Sequence, residues 1–159
     1  MLVTATLQDL ETSISKEIPD PNGKQREQLF ELSFSKSQLE RKIANLPMNA
    51  DAKAMLSSLA KRIVKVGETV LRIGQKFLEL VFRLNDEYGH LSFGEVICLM
   101  VEKMFQFAPF VGQILGPLLL NFLTTIGQVI AGQGAMVDAA LQTRVSVLLN
   151  VFEPFRHLT

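Results

Sequence analysis

An all-α protein of about six helices is the fold class this sequence predicts, on three observations. Apolar side chains recur at steps of three and four along most of the chain. Val and Ile follow those same steps, so the alternation that marks strands is absent. The six Pro and ten Gly fall mainly between the periodic runs, where turns are needed. A length of 159 residues, 48% of them hydrophobic and 20% charged, fits a single domain over residues 1–159 and rules out a disordered polyelectrolyte.

The N-terminal region, residues 1–51, is expected to hold two helices. Residues 7–18 read as a short one, stopped by the turn chemistry of Pro19-Asp20-Pro21-Asn22-Gly23. Residues 24–46 read as the second, with Leu29, Phe30, Leu32, Leu39 and Ile43 apolar and Pro47 ending it. Asn49 or Asp51 can cap the next helix. A long amphipathic helix is expected over residues 53–85. Its stripe runs Leu56, Leu59, Ile63, Val66, Val70, Ile73, Phe77, Leu80 and Leu84, and a row through Gly67 and Gly74 widens it. Each glycine costs about 1 kcal/mol relative to Ala in a helix, a cost that close approach of a neighbouring element would explain.

Residues 85–91 read as a loop. Ser92 and Glu95 then have capping-box spacing at the start of a hydrophobic hairpin over residues 92–137. Pro109 and Pro117 bracket an expected corner, and a strongly apolar helix starts at Leu118. Residues 138–159 supply the last amphipathic helix, ended by Pro154.

Charge is distributed unevenly. Sixteen basic and 16 acidic side chains cancel, which argues against a nucleic-acid partner. Yet residues 104–137 contain no Asp, Glu, Lys or Arg at all. A helix over residues 118–137 is long enough for a bilayer's ~30 Å apolar core, although Asn121, Thr124, Thr125 and Gln128 interrupt it. Asn121, Thr125 and Gln128 share one face and are expected to point into an oligomer or pore. Gly112 and Gly116, then Gly127, Ala131 and Ala135, place small residues at four-residue steps, suited to close helix packing. Burial of the same segment inside a bundle is the alternative.

Residues 53–85 hold seven basic side chains against two acidic ones. Lys61, Lys65, Arg72 and Lys76 could rest on anionic lipid. Glu68–Arg72 and Glu79–Arg83 could equally be ordinary i,i+4 pairs on a solvated face, or the stripe could bind a protein partner.

Catalytic signals are few. The spacing of Arg83 and His90 fits the loose Arg-x4–6-His pattern of some helical ribonucleases. The single cysteine, Cys98, sits on an apolar face and reads as a core thiol, and His157 lies near the C-terminus. No metal-spaced cluster, paired carboxylate site or phosphate loop is present, so neither cofactor nor enzyme activity is expected. The N-terminus lacks the basic and long apolar regions of a signal peptide, which suggests synthesis in the cytoplasm, and one cysteine fits a reducing compartment.

In organisation, the stretch SFGEVICLMVEKMFQFAPFVGQILGPLLLNFLTTIGQVIAG, about a quarter of the chain, resembles helical membrane-inserting proteins such as pore-forming bacteriocin domains and the apoptosis-regulator fold. It also resembles small bacterial membrane effectors that accompany phage (antiviral) defence. Phe93-Gly94-Glu95 departs from the apoptosis-regulator pattern by placing an acid where that family has Arg. The resemblance implies a membrane-associated homo-oligomer that perturbs or permeabilises a bilayer. A helical interaction module acting through residues 53–85 is the alternative expectation.

Overall fold

Six α-helices dominate the computed structural model, which describes residues 2–7, 12–17, 32, 34–66, 69–127 and 139–156. They are α1 (Lys36–Ala44), α2 (Ala50–Ala60), α3 (Ile73–Glu87), α4 (Phe93–Phe107), α5 (Pro109–Thr125) and α6 (Ala139–Leu149), followed by a 3-10 helix, Asn150–Phe155. The mainly helical class and the number of helices agree with the periodicity of the sequence.

A small antiparallel sheet accompanies the helices, and the sequence pattern had not indicated it. Strands β1 (Leu2–Leu7), β2 (Thr12–Glu17), β3 (Ile63–Val66) and β4 (Thr69–Leu71) are ordered β2-β1-β3-β4. β1 pairs with β2 from Leu2↔Glu17 to Leu7↔Thr12, and with β3 from Val3↔Val66 to Thr6↔Ile63. The expected helix over residues 7–18 is therefore replaced by a strand pair. Val3, Thr4, Thr6, Thr12 and Ile14 are β-branched, and such side chains are restricted in a helix and fit a pleated surface. Of the helix expected over residues 24–46, only Lys36–Ala44 is helical among the described residues, and residues 24–31 lie outside them.

The expected helix over residues 53–85 is also corrected: it is two helices, α2 and α3, separated by the β3–β4 hairpin. The three-and-four stripe passes through Ile63, Val66 and Val70 because strands of four and three residues are too short to disrupt it. Gly74 joins the two helices closely. Its amide donates to the Arg62 carbonyl at 3.2 Å, and a Cβ at Gly74 would lie 1.8 Å from the Leu59 carbonyl oxygen.

Caps define several boundaries. Ser35 and Gln38 form a reciprocal box at α1, and Asn49 accepts from the Ala52 amide at 2.8 Å to start α2. Ser92 and Glu95 form the box anticipated for α4. The corner expected between Pro109 and Pro117 is absent, because α5 runs from one proline through the other. Pro109 occupies a first-turn position, where no amide is missed. Pro117 lies on the exposed side, where water can reach the carbonyl that loses its donor.

The core runs through all six helices. Phe77, Phe110, Phe122, Phe152 and Phe155 are fully buried, with Leu56, Leu59, Leu80 and Ile97 among them. α3 also buries polar groups. Its Gln75 side chain donates to the Phe34 carbonyl at 3.0 Å, and its Glu79 carboxylate accepts from the Phe34 amide. The backbone entering α1 is thereby clamped to α3. Lys42 reaches over the rings of Phe34 and Phe82, at 4.9 and 5.5 Å from their centroids.

Candidate functional site

Helices α4 and α5 pack together and are joined through Ala108 alone, a buried residue that donates its amide to the Met104 carbonyl at 2.7 Å. α5 turns Phe110, Val111, Ile114, Leu115, Leu119, Phe122 and Leu123 into the core. Its opposite face carries Gln113, Pro117, Leu120, Asn121, Thr124 and Thr125, all exposed. None is charged. Helix surfaces normally complement a buried stripe with charged residues, so this outer face is unusual for a helix in contact with water.

Gly112 and Gly116 lie beneath this face and have a specific role. A Cβ on Gly112 would sit 2.7 Å from Cδ1 of Phe105, and one on Gly116 would sit 2.6 Å from its Cζ. The pair forms a slot in which the ring from α4 rests on the α5 backbone. Phe105 nevertheless remains 39% exposed, and Leu120, on the same side of α5 one turn beyond Gly116, is 47% exposed. An apolar strip thus continues from α4 onto α5. Val147, 56% exposed on α6, is flanked by exposed Ser146.

The polar part of the face is only partly available to a partner. Thr124 and Thr125 donate their hydroxyls to the carbonyls of Leu120 and Asn121, each at 2.9 Å. The Thr125 hydroxyl also lies 3.5 Å from the Met55 sulfur on α2. Gln113 and Asn121 present their amides at the surface.

The structure disperses other residues singled out in the sequence. Within the chain Gly127 packs against no described residue: it has a φ of +76°, bonds its amide to the Thr124 carbonyl and follows the last turn of α5. Gln128, Ala131 and Ala135 lie outside the described residues, as does the whole second half of the expected 118–137 helix. Lys61, Lys65, Arg72 and Lys76 do not share one helical face. Lys61 caps the end of α2, Lys65 belongs to β3, Arg72 precedes α3, and Lys76 is buried on α3 with 6% exposure. The break at β3–β4 is the cause.

Arg83 and His90 are both exposed, on α3 and in the turn after it. Cys98 is buried, and desolvation, reinforced by Glu102 and Glu95, pushes its thiol up to about 11, so it stays protonated and unreactive near neutrality. Among the described residues no group of His, Cys, Asp or Glu could hold a metal ion. Among them, too, no helix is long and apolar enough to cross a membrane. The Phe105 slot and the exposed Leu120 were not apparent in the sequence, although Gly112-x-x-x-Gly116 signalled that something packs closely there. Comparison with protein families, curated proteins and solved structures finds no match to this chain.

Proposed function

We propose that the chain is a non-catalytic helical module that self-associates through the outer face of α5. The observation that carries this reading is the coincidence of exposure with the complete absence of charge on Gln113, Pro117, Leu120, Asn121 and Thr124, bordered by Phe105. Pairing two such faces removes apolar surface from water without desolvating an ion. The sequence-based expectation of an oligomer contact at Asn121 and Thr125 falls on this face.

The size of the face sets the strength. A helix of 17 residues is about 25 Å long, and a strip ~10 Å wide along it offers roughly 250 Å² per copy. Stable interfaces use about 800 Å² per partner. The association is therefore weak and concentration-dependent. Sedimentation equilibrium from micromolar to millimolar protein tests it. Leu120→Glu is expected to weaken self-association at least tenfold while helix content is unchanged. A monomer throughout that range, or association indifferent to Leu120→Glu, would overturn the reading.

Action on a bilayer, as in membrane effectors of phage defence, is the second reading. It is favoured by α5 having no charged residue on either face. As α5 stands, its ~25 Å is shorter than a bilayer's ~30 Å core, and half of it is enclosed by α2 and α4, so insertion would require the hairpin to leave the core. Dye release from phosphatidylglycerol-containing vesicles tests this reading.

A further inference from the structure

We propose that a cleft between α1, the end of α2 and the start of α3 binds a small amphiphilic anion, one with an apolar body and a single carboxylate or phosphate end. The cleft encloses about 530 Å³, within the ~300–1,000 Å³ usual for small-ligand sites. Leu39, Ile43, Ala60 and Ile63 make it apolar inside, while Lys36, Lys61 and Arg72 stand around it with one acid among the described residues, Glu40.

Three features assign the charge of the ligand. Lys36, Lys61 and Arg72 are exposed, and among the described residues none of them forms a salt bridge. Lys36 lies in the first turn of α1 and Arg72 at the cap position of α3, the positive ends of both helices, where a cation is disfavoured and an anion favoured. Neither first turn contains an acidic residue, and no side chain caps α3. A carboxylate or phosphate there would lie among Lys36, Lys61 and Arg72, which outweigh Glu40 and the C-terminal end of α2 that also lines the cleft. The apolar interior selects against a bare inorganic ion, and among the described lining residues no aromatic ring offers a nucleobase a stacking surface. Lys61 and Arg72, which the sequence suggests for an anionic lipid surface, both line this cleft from either end of the β3–β4 hairpin instead of lying along one helix. The site is separate from the α5 face and stands or falls independently of self-association.

Calorimetric titration of the full chain with decyl phosphate, decanoate, decanol and inorganic phosphate tests the proposal. The two anionic amphiphiles are expected to bind one-to-one and at least tenfold tighter than decanol or inorganic phosphate. The double variant Lys61→Gln, Arg72→Gln should remove that preference with an unchanged circular dichroism spectrum, since both side chains are exposed. Ser57→Trp, which fills the cleft without altering its charge, should weaken both anionic amphiphiles. A vesicle arm separates free ligand from lipid headgroup: cosedimentation with phosphatidylglycerol vesicles that the double variant abolishes identifies a lipid source, and binding confined to the monomeric amphiphiles identifies a free one. Equal affinity for decanol and the anions, or binding that survives both variants, would overturn the proposal.

Discussion

At Gly74 the chain has no room for any side chain. The built Cβ lies 1.8 Å from the Leu59 carbonyl oxygen and 3.2 Å from Cβ of Arg62, and the first of these neighbours is backbone that no rotamer change can move aside. Gly74→Ala must therefore push the end of α2 away from α3 and break the Gly74–Arg62 hydrogen bond. We expect a loss of about 2–4 kcal/mol in urea unfolding, in the range of overpacking combined with a lost buried hydrogen bond. Gly89 is the control, since its Cβ would meet nothing within 4 Å and its backbone is not left-handed. Gly89→Ala should stay within about 0.5 kcal/mol of wild type. Equal effects at the two positions would show that α2 and α3 do not meet as described. The sequence already hinted that Gly74 marks a close approach, because a mid-helix glycine carries a cost; that its neighbour is the end of α2 could not be read, since α2 and α3 looked like one helix.

At the level of elements, legibility tracked local chemistry. Ser92 with Glu95 is a two-residue signature of a helix start and was found where it was expected. The boundary between α2 and α3 depended instead on pairing with distant β1, which no window of ten residues contains. The density of β-branched residues in Ile63-Val64 and Thr69-Val70 around Gly67 was the available signal, and it was outweighed by a stripe that happened to continue through it. α6, docked through its buried Leu141, Val145 and Leu148, adds another long-range contact. Arg144 forms two parallel bonds to Glu87 at the end of α3, Nε to Oε2 at 2.8 Å and Nη2 to Oε1 at 2.7 Å. The Arg144 hydrogen bond holds the Glu87 carboxyl below its ordinary value of 4.5. A depressed folded-state value stabilises the fold above the ordinary carboxylate range, and that contribution is lost as pH falls through the lowered value. Arg144→Gln should accordingly cost about 0.5 kcal/mol at pH 7, a small figure because both partners are about one-third exposed and screened. The difference from wild type should close below pH 4.5 and in 1 M salt, as urea unfolding at each condition would report. A gap that persists in acid would mean that Arg144 acts by packing alone.

For the whole molecule, the helical class was legible because burying one face of several helices imposes a period that any stretch of sequence displays. What was not legible was the environment of the uncharged segment. An apolar run without charge has the same composition whether lipid or neighbouring helices cover it, and only the three-dimensional arrangement distinguishes them. Here α5 buries Phe110, Leu119 and Phe122 within the protein, so its inner face is occupied, and Thr125 at the edge of its outer face touches Met55 of α2. That contact provides a test of whether α5 must ever leave. In a Cys98→Ala background, Met55→Cys with Thr125→Cys, bridged by a short thiol-to-thiol cross-linker that a reductant cleaves, would staple α5 to α2. Self-association through the outer face needs no movement of α5, so the stapled and reduced forms should associate equally, and vesicles should retain their dye with either. Dye release by the reduced form that the staple abolishes would overturn that expectation and establish release of the hairpin as the working step. Association lost on stapling would show that the contact between copies uses the inner face of α5, the side built from Phe110, Leu119 and Phe122, in place of the outer one.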